Sequence, residues 1–138
     1  VFVGIDKKWL PELNKIYHFE NLPNITIYTY LPQKEFFSLL ELSSVYAQPS
    51  ISEGMPNSLM EAMLAGCIPV GSKVAGIPTI IDKYGYIIDQ RDPQGLEKAM
   101  DLALQSEADR KEISESIKNR FNLQIRKEKL LNLLNKYN

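Results

Sequence analysis

Hydrophobic and polar positions along this chain follow two periods in turn, one of about 3.6 residues and one of 2, and the switches between them mark the elements. Leu10, Leu13, Ile16 and Tyr17 recur at helical spacing and predict a helix over residues 9–19, with Pro11 tolerated in its first turn. Asn21-Leu22-Pro23-Asn24 breaks it, and the β-branched and aromatic residues 25–28 predict a strand. Phe36, Phe37, Leu39 and Leu40 form the stripe of a helix over 32–42, and the apolar run Val45-Tyr46-Ala47 predicts a buried strand over 45–48. A helix starting at Asn57 or Ser58 and capped by Gly66 comes next, then a strand over 68–70. A helical turn over 77–82, a strand over 84–88 and a helix over 93–104 complete the alternation. Strand and helix by turns is the order of a doubly wound parallel sheet.

The two ends differ from this middle. Residues 107–138 are charged and helical, with Ile113, Ile117 and Phe121 at four-residue spacing and then Leu130, Leu131, Leu133 and Leu134. They are expected to pack along the outside. Basic residues between Arg110 and Lys136 offer contact with an anionic membrane surface, but acidic residues interleave with them and favour a solvated helix face. Val1-Phe2-Val3-Gly4 reads as a strand already under way, with no initiator Met, and predicts an N-terminally incomplete domain.

Composition limits what the chain can be. With 138 residues and 44% hydrophobic content it can form one globular domain over 1–138 with a real core. A net charge of -1 gives no reason to expect nucleic acid as a partner. The single cysteine excludes an intrachain disulfide and favours a reducing compartment. No apolar run approaches the ~20 residues that span a bilayer, and no signal peptide is visible. The expected location is cytoplasmic, with peripheral contact at the inner face of the membrane left open.

Candidate chemistry concentrates in Ser52 to Gly66, SEGMPNSLMEAMLAG, where Glu53 and Glu61 stand eight positions apart across a Gly/Pro turn that runs into the helix. The start of that helix directs unpaired N–H groups, with about half a unit of positive charge, towards the loop, and a diphosphate fits there. Gly54 lets the backbone approach a sugar ring, because a Cβ would occupy the space or forbid the dihedral angles needed. The Glu53 carboxylate can accept from sugar hydroxyls. Ser58-Leu59-Met60-Glu61 is also a capping box, which needs no ligand, although such a box does not require Glu53, Gly54 and Pro56.

Glu53 and Glu61 with seven residues between them, followed by Ala62, Gly66, Pro69 and Val70, resemble the donor-site signature of the GT-B glycosyltransferases, in particular the large retaining family 4. Gly76-Ile77-Pro78, Tyr84-Gly85-Tyr86-Ile87-Ile88 and Asp92-Pro93 follow in that family's order, so the resemblance covers Val1 to about Arg120. It implies a Rossmann-like sheet forming the C-terminal, donor-binding half of such an enzyme. It implies Glu53 as the catalytic residue, meeting the donor sugar hydroxyls, and Glu61 on the ribose hydroxyls. Gly54, Met55, Pro56, Asn57, Ser58 and Leu59 would line sugar and phosphate, and Thr29, Tyr30 and Leu31 would border the base. It further implies transfer with retention from a nucleotide sugar to an acceptor glycan, lipid or other hydroxyl compound held by a preceding domain. That domain, and a basic clamp on the diphosphate, are not in this sequence. No cofactor or metal is expected. The chain departs from the family pattern at Thr79, where an acid is usual, and at Thr29, where glycine is common.

Other residues carry weaker signals. Gly76-Ile77-Pro78 reads equally as a second lip of the site and as a plain turn. His18 is expected as a C-terminal helix partner, Cys67 as a small buried residue, and Tyr84 and Tyr86 as sheet packing. Lys7 and Lys8 follow the wrong strand for a phosphate clamp. An epimerase of the same fold acting on the donor alone, and a non-catalytic nucleotide-sugar sensor or interaction module, remain open. An NAD-binding domain is disfavoured, since no G-x-G-x-x-G joins a strand to a helix.

Overall fold

Parallel strands cannot be joined by tight turns, and every strand pair in this chain is parallel, so helices must carry the crossovers. The computed structural model describes residues 1–136. The order is β1 (Phe2–Val3), α1 (Leu10–Tyr17), a 3-10 turn (Phe19–Asn21), β2 (Ile27–Tyr28), α2 (Gln33–Leu42), β3 (Val45–Gln48), α3 (Asn57–Leu64), β4 (Ile68–Ser72), α4 (Ile77–Ile81), β5 (Tyr86–Ile88), α5 (Pro93–Leu104), α6 (Arg110–Arg120) and α7 (Leu123–Lys136). The predicted α/β alternation is therefore present. Its strands form a two-stranded sheet, β1-β2, and a three-stranded sheet, β3-β4-β5.

The chain divides into two compact units, Val1–Phe36 and Phe37–Asn138. In the first, Phe2 pairs with Ile27 and Val3 with Tyr28, and α1 makes the crossover. The helix predicted over 9–19 stops at Tyr17, because His18 takes the left-handed conformation at φ 51° and its N–H closes on the Asn14 carbonyl. His18 thus ends the helix through its backbone conformation. Phe19 then stacks on Tyr17 and tilts against Phe2, with ring centroids 5.6 and 5.9 Å apart. No residue of 1–36 is buried.

The second unit holds the core. All five residues of β4 are buried, with β3 and β5 on either side. Leu59 and Met63 of α3, Ile77, Ile80 and Ile81 of α4, Ala99 and Ala103 of α5, and Ile113 and Ile117 of α6 close over the sheet. That gives a parallel sheet the cover on both faces that it needs. The helix ends agree with local chemistry. The Asp92 carboxylate accepts from the Gly95 N–H at 2.8 Å and Pro93 opens α5, so this helix matches its predicted limits. At the end of α3, Gly66 lies at φ 85° and donates to the Met63 carbonyl, while the Cys67 N–H reaches Ala62, a Schellman motif that only glycine enters without strain.

Two details differ from expectation. Tyr84 is not in a strand: its N–H turns back to the Ile81 carbonyl, its ring lies between the Lys83 ammonium and the Arg120 guanidinium, and β5 starts only at Tyr86. The helical C-terminal stretch is two helices, α6 and α7, and its predicted last residues, 137 and 138, lie outside those described. Arg120 reaches from α6 to the Thr79 and Ile80 carbonyls at 3.0 and 2.7 Å and so satisfies the end of α4. In α7, Leu123, Leu130, Leu131, Leu133 and Leu134 are exposed. Among the described residues no helix is long and apolar enough to cross a membrane.

Candidate functional site

The carboxyl ends of β3 and β4 open onto the loop of residues 49–56, the edge of a parallel α/β sheet where ligands characteristically bind. Hydrogen bonds hold this loop to the core, among them a 2.9 Å bond from the Gln48 amide to the Ser50 hydroxyl. The buried Ser72 hydroxyl at the end of β4 donates to the Ser50 carbonyl. The Gly76 N–H donates to the Gly54 carbonyl at 2.9 Å. The Gln48 amide, on the last residue of β3, donates to Glu53 Oε2 at 3.4 Å. Gly76 has to be glycine for this approach, since a Cβ there would lie 2.8 Å from the Gly54 oxygen. Gly76 thus braces the Glu53 loop and at the same time opens α4.

Glu53 is half-buried. Its Oε2 accepts from Gln48 and from the Ser50 hydroxyl at 3.3 Å, and its Oε1 from the Gly54 N–H at 3.3 Å. Gly54 and Met55 are exposed, and a Cβ on Gly54 would meet open space. The backbone of Gly54 is not left-handed, so the dihedral reason for glycine there does not apply. Pro56 is buried and forms the N-cap of α3, with Asn57 exposed as its first residue. No side chain caps this helix, so the amides of Asn57, Ser58 and Leu59 lack the capping partner that a helix start needs.

The capping box does not form. Because the N-cap is Pro56, two residues before Ser58, the Ser58 hydroxyl donates instead to Gln48 Oε1 at 3.3 Å. The side chain of the half-buried Glu61 is left without a hydrogen bond among the described residues. Leu59 contributes its main chain only, since its side chain is fully inside the core. The Tyr46 hydroxyl feels both carboxylates. Burial pushes the Tyr46 hydroxyl above its ordinary 10.0, contact with Ser58 opposes this, and the charges of Glu61 and Glu53 push it further.

Thr29, Tyr30 and Leu31 follow the carboxyl end of β2 in the first unit, where Tyr30 is exposed and the other two are half-buried. Cys67 is fully buried, with Sγ directed at the Leu40 carbonyl at 3.2 Å, and burial pushes its thiol above the ordinary value. That is the chemistry of a packing residue. Lys8 pairs with Asp6 at 3.2 Å and lies over Trp9. Thr79 is exposed, and its carbonyl is taken by Arg120. Among the described residues no three His, Cys, Asp or Glu side chains gather as metal ligands would. Sequence reasoning missed Gln48, Tyr46, Ser50 and Ser72, which form the floor under Glu53. The one signal that pointed to them was a polar residue, Gln48, closing an otherwise apolar strand.

Comparison with known proteins bears on this arrangement. The Glycosyl transferases group 1 family matches residues 1–120. A protein of Escherichia coli K12 named for colanic acid biosynthesis as the glycosyltransferase WcaL is 31% identical over 118 residues, 75% of this chain and 29% of its own length. The amylovoran biosynthesis glycosyltransferase AmsK of Erwinia amylovora is 34% identical over 86 residues, covering 56% of this chain and 21% of that protein. This chain therefore spans less than a third of the length of these relatives. Sucrose-phosphate synthase from Thermosynechococcus elongatus shares the fold, with a TM-score of 0.77 at 18% identity over 95% of this chain and 35% of that one. The parallel α/β architecture, the strand-loop-helix carrying Glu53 and Glu61, and the match over residues 1–120 lead to one conclusion: the chain belongs to the Glycosyl transferases group 1 family.

Proposed function

We propose that this chain is the donor-binding part of a retaining glycosyltransferase of family 4. The observation that carries the reading is the loop of residues 49–56, which sets a hydrogen-bonded Glu53 beside the uncapped start of α3 while the side chain of Glu61 is left without a hydrogen bond among the described residues. The diphosphate of a nucleotide sugar lies against the amides of Asn57, Ser58 and Leu59, where the helix dipole favours negative charge. Glu53 accepts from the donor sugar hydroxyls and is the catalytic residue; Glu61 accepts from the ribose. Gly54 and Met55 border the sugar, and Pro56 fixes the turn. In the reaction the bond from the anomeric carbon to the diphosphate breaks, a bond to an acceptor hydroxyl oxygen forms with retention, and the proton of that hydroxyl passes to the leaving diphosphate. The chain contributes position and charge stabilisation of the leaving diphosphate, and no side-chain nucleophile. The acceptor and the remaining phosphate contacts come from a part of the protein beyond this chain, as the greater length of the relatives suggests. Their names place those proteins in polysaccharide biosynthesis, and an acceptor glycan or lipid-linked glycan follows by analogy.

Thermal unfolding with UDP, GDP, ADP and their sugar conjugates tests the reading. A ligand at a hundredfold over its dissociation constant stabilises the fold by about 2.7 kcal/mol. Stabilisation by one nucleotide family that disappears in Glu61→Ala supports the donor site, and none with any nucleotide in the whole protein rejects it. In the same protein Glu53→Gln should abolish transfer with the fold intact; unchanged transfer would reassign the domain as a binding module.

A further inference from the structure

Every hydrogen-bonding group of the Gln48 side chain is engaged, and all its partners belong to the walls of one site. Its Oε1 accepts from the Tyr46 hydroxyl at 2.8 Å and from the Ser58 hydroxyl at 3.3 Å. Its Nε2 donates to the Ser50 hydroxyl at 2.9 Å and to Glu53 Oε2 at 3.4 Å. A primary amide has two lone pairs on oxygen and two hydrogens on nitrogen, so nothing is left over. The polarity of the amide is fixed from both ends. An ionised carboxylate only accepts, so Nε2 must face Glu53, while the two hydroxyls on the other side can both donate. Burial, with the nearby carboxylates adding to it, keeps the Tyr46 hydroxyl protonated beyond its ordinary range, so that donor persists.

We propose that Gln48 is the positioning residue of the site: by holding Oε2 of Glu53, it presents Oε1 as the acceptor for a donor-sugar hydroxyl. This rests on the donor-binding reading above. Oε2 receives two donors from within the chain, Gln48 and Ser50, whereas Oε1 receives only the Gly54 N–H at 3.3 Å and keeps a lone pair for an outside hydroxyl. Without the amide, Ser50 alone would hold Oε2, through a single rotatable hydroxyl. Gln48 touches neither sugar nor phosphate in this account. Its bond to Ser58 is with the hydroxyl and not with the amide assigned to the diphosphate, so loss of the Gln48 amide acts on what Glu53 recognises, which separates it from a residue that merely keeps the loop folded.

The test compares bare nucleoside diphosphates with their sugar conjugates in the whole protein, using UDP against UDP-glucose, GDP against GDP-mannose and ADP against ADP-glucose. Wild type is expected to bind one conjugate more tightly than the matching diphosphate. Gln48→Met keeps the length of the side chain and removes the amide; it should weaken the conjugate about tenfold and leave the diphosphate unchanged. Tyr46→Phe, which removes one hydroxyl, should reduce the same preference by a smaller factor, and it decides the matter if Gln48→Met does not fold. An undiminished preference in the variants overturns the proposal. So does an equal loss for conjugate and diphosphate, the mark of a loop that has simply come loose, and so does a wild type without any preference for a conjugate. Binding of none of the six ligands by wild type overturns the donor-binding reading itself.

Discussion

The two compact units make the same local structure, parallel strands joined through a helix, and differ in what they bury. In the first, β1 and β2 pair over two residues each, and Phe2, Val3 and Tyr28 on those strands remain exposed. In the second, the central strand β4 is buried from end to end beneath residues of four helices. Strand pairing is thus not what stabilises this chain. Parallel hydrogen bonds replace bonds to water at modest net gain, whereas the covered apolar area supplies the driving force. The candidate site takes its order from the covered sheet, since Ser72 and Gly76, which anchor the Glu53 loop, both flank the core strand or its following helix.

The strongest way to sharpen this contrast is a matched pair of deletions. Ile81→Ala, at a residue with no exposure, should cost about 2–5 kcal/mol in urea unfolding, as large-to-small changes in closed cores do. Ile16→Ala, at a residue 58% exposed, should stay within about 0.5 kcal/mol. Equal costs would break the comparison. Next in size is Arg120→Met, which keeps the stem of the side chain but strips the carbonyls of Thr79 and Ile80 of their charged donor. About 1.5–3 kcal/mol should be lost, with the unfolding midpoint as the readout. Gly76→Ala forces a Cβ against the Gly54 oxygen and should cost about 1–3 kcal/mol by overpacking. Under the proposed function its nucleotide-sugar affinity falls as well, because the displaced atom belongs to the Glu53 loop. The smallest effect is alkaline. Cys67 and Tyr46, both in the second unit, have thiol and phenol values raised by burial above 9.0 and 10.0. The unfolded chain loses these protons first, so stability is full below pH 9 and declines as pH rises through 9 and then 10. Urea midpoints at pH 8 and pH 10 should show that decline, and Cys67→Ala should make its first part shallower.

What the sequence revealed depended on how far apart the interacting residues are. The limits of α5 were legible because Asp92 and Pro93 act within one turn, and the limits of β3 because an apolar run ends at Gln48. The strand-loop-helix and the string from Glu53 to Glu61 were legible for the same reason. The floor of the site was not, since Ser72 reaches Ser50 across a separation of 22 residues and no local pattern announces it. Local patterns also misled. Ser58 and Glu61 have the spacing of a capping box, but Pro56 starts the helix and leaves both side chains free for other contacts. Tyr84 has the alternation of a strand residue, yet two neighbouring cations and a turn to Ile81 claim it. The helix predicted over 9–19 was cut by the left-handed His18, a conformation that its side chain does not advertise.

Gly54 has a consequence of another kind. A Cβ at that position would meet nothing within 4 Å, and the backbone there is not in the left-handed region. Folding therefore places no veto on alanine at residue 54, and a veto on that first carbon must come from outside the polypeptide. Substituting residues of growing size there turns the loop into a feeler gauge. The size at which nucleotide-sugar affinity collapses, while the unfolding midpoint holds, would measure the clearance between this chain and whatever it holds, one methylene at a time.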